Sequence, residues 1–178
     1  GVIEDNTKLL THPGEQFLCL CPHIYASFRG AKRRMEYRGA LSGAELYEDY
    51  GHHPTEVRTT LEGARGLAEG GRLVCVFQPH TYSRTAQLAD QFAGAFADAD
   101  RVILVDIYAA REIDKHEITG KQISDYCVKK GLDSRNIGPF SQIAAYLEEH
   151  VTSKDMIVLL SCGDLDKLAD EFKNLSKS

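Results

Sequence analysis

The sequence alternates short, almost wholly apolar runs with amphipathic stretches from about residue 43 to its end. The clearest runs are 73–77, 102–105 and 156–160, which consist of Val, Ile, Leu, Met, Phe and Cys. A strand with one face in water alternates apolar and polar residues, so continuous apolar runs predict strands covered on both faces, as in a parallel sheet. A shorter run at 44–47 predicts another strand, and residues 136–140 can hold a further short one.

The stretches between these runs have helical periodicity. Leu88, Phe92 and Phe96 recur at intervals of four residues and form an apolar stripe that suits packing on a sheet. Pro54 fits the first position of a helix with His53 or a neighbour as its cap, and glycines follow two of the helical patterns as stop signals. The predicted helices are 54–68, 83–97, 121–130, 141–150 and 165–174.

Strands alternating with helices at this spacing predict an α/β fold. We expect an open, mostly parallel sheet with helices on both faces and right-handed crossovers. The first 40 or so residues lack the alternation, and we interpret residues 1–27 as a connector or appendage. The main domain is predicted to span residues 28–178.

Composition excludes several classes of protein. The 178 residues are 43% hydrophobic, enough for a buried core. A net charge of −5 argues against a nucleic-acid-binding surface, and no apolar run approaches the roughly 20 residues of a membrane helix. Five cysteines without a C-x-x-C pair argue against a structural zinc site, and we expect no metal site in this chain. No secretory signal is visible, so we expect a reducing, cytoplasmic location.

The first candidate site lies between the run at 44–47 and the helix at Pro54. Ligands of open α/β sheets bind at the carboxyl ends of strands, and a helix N-terminus attracts anions. Asp49 can accept hydrogen bonds from ribose hydroxyls, and Tyr50 can stack on or bond a base. His52 and His53 can hold a carboxylate or an amine. The alternative is that Asp49 and Thr55 only cap the helix while the histidines form loop surface.

The second candidate site follows the run at 73–77. His80 and Arg84 can face one cleft, where the planar guanidinium of Arg84 offers two parallel hydrogen bonds to a carboxylate. A cation in the first turn of a helix opposes the helix dipole, and a bound anion would compensate it. The alternative is that His80 merely ends a strand and Arg84 is solvated.

Polar residues also follow the remaining runs. Gly163 allows close approach of the backbone to a ligand and Asp164 can cap the last helix, although a simple tight turn fits equally well. Tyr108, after the run at 102–105, can line the same edge. Upstream, Arg34 belongs to a basic triplet that is either a phosphate contact or a solvated face. The chain has no G-x-x-x-x-G-K-[ST] loop and no G-x-G-x-x-G, and therefore no phosphate cradle of its own.

Taken in order, these segments resemble the C-terminal domain of the Mur ligases. The matching pieces are 28–36 (FRGAKRRME), 47–57 (YEDYGHHPTEV), 77–85 (FQPHTYSRT) and 106–112 (DIYAARE), with a weaker match at 161–164 (SCGD). The resemblance covers roughly residues 28–172. The His-His-Pro and Gln-Pro-His forms are similar to those of the alanine-adding branch.

The resemblance implies a Rossmann-like domain of a three-domain, ATP-dependent, amide-forming ligase of peptidoglycan synthesis. Such a ligase uses ATP and Mg²⁺ to convert the carboxylate of UDP-N-acetylmuramate into an acyl phosphate, which the amine of L-alanine attacks. The N-terminal and central domains, with the P-loop and most magnesium ligands, are the missing partners. The isolated chain is therefore expected to be inactive.

The resemblance also assigns residues to ligands, none of them catalytic in this domain alone. Its implied ATP-binding residues are Arg34, Asp49 and Tyr50, and its implied amino-acid-binding residues are His52, His80 and Arg84. Secondary candidates are His53, Tyr108, Gly163 and Asp164.

The sequence departs from the family at three places. Met35 replaces an aromatic residue. Ser161 and Cys162 replace Gly-Ala and are expected to crowd the backbone against the ligand. Residues 1–27 do not resemble the end of a central ATPase domain. Two alternatives stay open. One is a stand-alone nucleotide- or amino-acid-binding module. The other is the same domain from a neighbouring Mur-type ligase, such as the murein-peptide recycling enzyme, against which the Gln-Pro-His form counts.

Overall fold

The computed structural model of the chain describes residues 33–113 and 118–175, with side chains as far as Phe172. The predicted connector at 1–27, and Lys32 of the basic triplet, lie outside these ranges. The described strands are β1 (Glu36–Leu41), β2 (Ala44–Asp49), β3 (Leu73–Phe77), β4 (Arg101–Leu104), β5 (Asp133–Asn136) and β6 (Met156–Leu160). The described helices are α1 (Pro54–Leu67), α2 (Tyr82–Ala95), α3 (Gly120–Lys129), α4 (Phe140–His150) and α5 (Asp166–Leu175).

The described strands form one sheet in the order β1-β2-β6-β3-β4-β5. Strand β1 is antiparallel to β2, and the other neighbouring pairs are parallel. Alternate residues of β3 face opposite sides: Cys75 packs with α1, α2 and α3, and Val76 packs with α4 and α5. The predicted fold class, an open and mostly parallel sheet with helices on both faces, is confirmed.

The central strands match the apolar runs because they are covered on both faces. Every residue of β3 and β6 is buried. The phenylalanine stripe is confirmed as well, since the rings of Phe92 and Phe96 lie 5.0 and 5.3 Å from that of Phe77.

The edge strands are where the sequence prediction is wrong. The strand expected at 136–140 is instead β5 at Asp133–Asn136, of which only Ser134 is buried. The sequence pattern predicts no strand where β1 lies, although β1 pairs with β2 through a tight turn in which Ser42 and Gly43 both have positive φ. Each edge strand has one neighbour and little burial, so neither needs an apolar run that would reveal it.

Helix α1 begins as its sequence indicates. His53 is the N-cap and its Nδ1 accepts a hydrogen bond from the amide of Thr55, while Glu56 accepts hydrogen bonds from the amides of His52 and His53 at 3.0 and 3.1 Å. Burial alone would raise the pKa of Glu56, but these amide hydrogen bonds outweigh it and lower the pKa. The loop before α1 is therefore fixed at the carboxyl edge of the sheet.

None of the helices in the described ranges is long and apolar enough to cross a bilayer.

Candidate functional site

The loops that follow β2, β3 and β4 bring four rings together in a row. The ring of Tyr50 lies 5.7 Å from that of His52, the ring of His52 lies 5.9 Å from that of His80, and His80 stacks on Tyr108 at 5.7 Å. We call these four residues the ring row. All four are candidates from the sequence, with Tyr108 as a secondary one, and the parallel strands carry them to one edge, as expected.

Backbone hydrogen bonds hold His80 at the centre of this row. The amide of Thr81 donates to Tyr108 O at 2.9 Å, and the amide of Tyr108 donates to Pro79 O at 2.9 Å. His80 and Tyr108 thereby form an isolated parallel β-bridge beyond the ends of β3 and β4. The loops after these strands are consequently fastened to each other on both sides of the imidazole.

The His80 imidazole is in an environment that favours its neutral form. Burial, followed by the positive charge of Arg84 and the nearby His52, lowers the pKa of His80, and the charge of Glu112 partly opposes this. Its buried Nδ1 has no hydrogen-bond partner within the described part of the chain. A neutral imidazole whose Nδ1 is unpaired can take up a proton or orient a polar group.

Arg84 projects from the first turn of α2 and is exposed. Its charge lies close enough to contribute to the lowered pKa of His80 and to oppose the rise that burial causes in the pKa of the Cys162 thiol. Among the described residues its guanidinium forms no hydrogen bond or ion pair, so it is available to an external carboxylate.

The dipole of α2 is compensated within the protein. The carboxylate of Glu112 accepts hydrogen bonds from the amide and hydroxyl of Ser83 at the start of the helix. These hydrogen bonds lower the pKa of Glu112, and the bond from the Ser83 hydroxyl contributes the most. A bound anion is therefore not needed to explain a cation in the first turn, and the argument for Arg84 as a ligand rests on its position.

The turn after β6 is clamped by Gln78, a buried residue of the Gln-Pro-His form to which the sequence assigns no role of its own. Its Oε1 accepts hydrogen bonds from Ser161 Oγ at 2.8 Å and from the amide of Asp164 at 3.1 Å, and its Nε2 donates to Asp164 Oδ1 at 2.8 Å. The Ser161 hydroxyl also accepts from the amide of Gly163 at 2.7 Å. Ser161 therefore stabilises the turn through its hydroxyl, and the crowding of the backbone against a ligand stays a prediction.

Gly163 is required at its position by close packing. A Cβ there would lie 2.5 Å from Gln78 Oε1 and 2.8 Å from Tyr108 Cγ. Asp164 is not placed as a cap of the last helix, since its carboxylate accepts from Gln78 and from Lys167 Nζ among the described residues. Burial alone would raise the pKa of Asp164, but these two hydrogen bonds lower it.

Asp49 is buried and directs both oxygens at protein donors. Its Oδ1 accepts from the amide of Gly51 at 2.8 Å and from Thr60 Oγ1 at 3.3 Å, and its Oδ2 accepts from the amide of Met35 at 3.0 Å. The half-exposed guanidinium of Arg34 lies 3.8 Å from Oδ1. Asp49 thus holds the segment that carries Arg34, and the cap of α1 is His53 rather than Asp49.

Arg33 is a further site residue that sequence reasoning missed. Its guanidinium bonds to the buried carboxylate of Glu48, donates to Ser161 O at 3.0 Å and lies 5.3 Å from the centre of the Tyr50 ring. A basic triplet in a sequence does not reveal which side chain turns inward. The signal lay in Glu48, because a charged residue at the end of a predicted buried strand needs a partner.

The cysteines differ in their surroundings. Cys75 is buried, as expected for an apolar strand, whereas Cys162 is only half-buried beside Arg33 and Arg84. Burial raises the pKa of the Cys162 thiol, and the two arginines partly oppose this. Within the described ranges, no group of three or more His, Cys, Asp or Glu side chains is arranged to hold a metal ion.

A cleft lies beside the ring row, between the loop after β4 and the start of α4. Its volume is about 320 Å³ and its walls include Gln78, Tyr108, Phe140 and Asp164. Small-molecule sites begin at roughly this size. The carboxyl edge therefore has space for a small ligand next to Tyr108.

Comparison with known proteins identifies relatives of this arrangement. The chain is 39% identical over 148 residues to the UDP-N-acetylmuramate–L-alanine ligase of Clostridium kluyveri, a match that covers 83% of this chain and 32% of that protein. The chain thus spans about a third of the length of such relatives.

Two solved structures share the fold. The UDP-N-acetylmuramate–alanine ligase of Thermotoga maritima superposes with a TM-score of 0.68 at 23% identity, covering 84% of this chain and 31% of that one. A murein peptide ligase from Psychrobacter arcticus superposes with a TM-score of 0.66 at 22% identity, covering 84% of this chain and 31% of that one. The family model described as "Mur ligase, glutamate ligase domain" matches residues 33–163, which contain all the described strands and helices α1 to α4. The chain therefore belongs to the Mur ligase family, as a C-terminal domain of such ligases.

Proposed function

We propose that this chain binds the amino acid, and part of ATP, for a ligase that joins L-alanine to UDP-N-acetylmuramate. The observation that carries the proposal is the convergence of His52, His80 and Arg84 at the carboxyl edge of the sheet. The similarity to the Clostridium kluyveri ligase supports the choice of L-alanine.

The amino-acid site needs a cation for the carboxylate and a group that orients the amine. Arg84 is exposed beside His80, and its fork can form two parallel hydrogen bonds to a carboxylate. The lowered pKa of His80 keeps its imidazole neutral, so it can accept a hydrogen bond from the amine without repelling it. Holding the amine in position for attack on an acyl phosphate is the contribution that such a domain makes to the rate.

The nucleotide site is formed by Arg34, Tyr50 and Asp49 on the neighbouring loop. Arg34 supplies a half-exposed charge, and the exposed ring of Tyr50 offers a stacking surface. Asp49 contributes mainly by fixing this segment, because its oxygens already accept from three protein donors. ATP would therefore meet Arg34 and Tyr50 first.

The remaining parts of the reaction belong to the domains that the chain does not match. Magnesium supports phosphoryl transfer when it is bound, and we assign none of its ligands to the described residues. The N-terminal and central domains would supply the UDP-N-acetylmuramate site and the P-loop, in a cytoplasmic step of peptidoglycan synthesis.

A hybrid ligase tests the proposal. In it, residues 33–178 replace the matched segment of the Clostridium kluyveri ligase, and phosphate release from ATP is measured. We expect turnover that requires both UDP-N-acetylmuramate and L-alanine, and none from the 178-residue chain alone. A folded hybrid that is inactive with L-alanine, or that prefers a peptide substrate, would contradict the proposal, and the unmodified Clostridium kluyveri ligase is the control.

A further inference from the structure

We infer that Glu112 is a positioning residue for the amino-acid site, acting through the N-terminus of α2. The inference deepens the proposed function and rests on it for its kinetic consequence. Glu112 lies 28 positions beyond Arg84 in the sequence, yet its carboxylate closes the first turn of the helix that carries Arg84.

The start of α2 has no cap of its own. Thr81 occupies the N-cap position with φ +62°, and its side chain forms no capping hydrogen bond. A β-branched residue with positive φ is strained, and the Thr81 side chain offers no acceptor to the first amides of the helix. Local sequence therefore does not fix the direction in which α2 begins.

Glu112 provides the missing cap from another loop. Its Oε2 accepts from the Ser83 amide at 3.0 Å, and its Oε1 accepts from the Ser83 hydroxyl. A carboxylate at this end of a helix is also favoured by the helix dipole. Three residues before it, Ala109 O accepts from the amide of Glu112, which holds the carboxylate at the end of a short turn.

The same loop is fastened to the residues around His80. Tyr108 exchanges backbone hydrogen bonds with Pro79 and Thr81 and stacks on the His80 ring. The loop from Tyr108 to Glu112 therefore contacts both sides of Thr81, with the imidazole before it and the first turn of α2 after it. Because Arg84 lies one residue beyond Ser83, the contact at Glu112 fixes the stretch of backbone from which the Arg84 side chain projects.

The kinetic test uses the hybrid ligase with Glu112→Gln, Glu112→Ala and Glu112→Asp. We expect the first two to raise the KM for L-alanine by about tenfold, with little change in the KM for ATP, since a displacement of the order of 1 Å is enough for such losses. Glu112→Asp should recover part of the loss. Asp90→Asn, which removes one exposed charge from a later turn of α2, is the matched control and should change neither KM.

A second measurement on the 178-residue chain is independent of ligase activity. Hydrogen exchange at the Ser83 amide should be at least tenfold faster in Glu112→Ala, which removes both acceptor oxygens, than in the parent chain, and unchanged in Asp90→Asn. If Glu112→Ala does not fold, Ser83→Ala, which removes only the hydroxyl donor, should show a smaller rise in the alanine KM.

The outcomes separate the two proposals. Unchanged exchange at Ser83 in Glu112→Ala overturns the inference whether or not the hybrid is active. Faster exchange with an unaltered alanine KM in an active hybrid overturns the positioning role and leaves only a structural cap. Faster exchange with an inactive parent hybrid supports the cap contact and counts against the proposed function alone.

Discussion

The imidazole of His80 lies against the phenol ring of Tyr108, with the ring centroids 5.7 Å apart and the planes 26° from parallel. Two backbone hydrogen bonds join the same loops, so the stacking joins segments that β3 and β4 have already brought together. The contact excludes water from one face of the histidine. It is therefore one source of the burial that lowers the pKa of His80.

We predict that the stability of the domain falls when His80 becomes protonated. The pKa of His80 is lower in the folded chain than its ordinary value of about 6.5. A group of this kind stabilises the fold above its ordinary pKa, and that stability is lost as the pH falls through the lower, folded value.

Denaturation midpoints measured between about pH 7.5 and pH 5, alongside NMR titration of the His80 ring, check this prediction. His80→Gln should flatten the pH dependence of stability relative to the parent chain. An His80 titration at or above the ordinary histidine value would contradict the prediction.

Arg84→Lys is predicted to weaken the binding of L-alanine selectively. Lysine keeps the charge but loses the planar fork, so the hybrid ligase should show a KM for L-alanine raised by about tenfold and an almost unchanged KM for ATP. His80→Ala should in addition lower kcat, because the amine loses its orienting group. An alanine KM within twofold of the parent value in Arg84→Lys would mean that the carboxylate binds elsewhere.

Substitutions of Arg34 and Asp49 are predicted to differ in their effect on the stability of the domain. Arg34→Ala removes a half-exposed charge and should raise the KM for ATP in the hybrid ligase without changing the denaturation midpoint. Asp49→Ala leaves the Met35 and Gly51 amides without their acceptor, so it should also lower the free energy of unfolding by about 1–3 kcal/mol. Equal stability of the two variants in urea would contradict the assignment of Asp49 as the residue that holds this segment.

Gly163→Ala is predicted to destabilise the turn after β6. The added methyl group meets Gln78 Oε1 and Tyr108 Cγ, both within 2.8 Å of the new Cβ. Relief of this contact by movement of the clamp should cost about 1–3 kcal/mol in thermal or urea unfolding. Gly63→Ala is the control, because nothing lies within 4 Å of a Cβ at that helical position. A stability loss in Gly163→Ala no greater than in the control would show that the turn adapts freely.

Much of the central sheet was predictable from the sequence for one physical reason. Strands that are buried on both faces must be apolar throughout, and β3 and β6 coincide with the runs at 73–77 and 156–160. The edge strands have no such requirement. Strand β1 is amphipathic and β5 reads Asp-Ser-Arg-Asn, so their places in the sheet depend on pairing that a local pattern does not reveal.

In the candidate site, too, some features are predictable from the sequence and others appear only in the tertiary structure. The sequence by itself determined which segments follow the strands, and hence that Tyr50, His52, His80 and Arg84 meet at one edge. Only the tertiary structure decided that Arg33 turns inward while Arg34 is half-exposed, that Gln78 clamps the turn after β6, and that Glu112 caps α2. These contacts join residues from separate loops, with Gln78 and Ser161 83 positions apart. Local residue patterns encode the ends of elements, whereas hydrogen bonds between distant loops depend on the packing that brings those ends together.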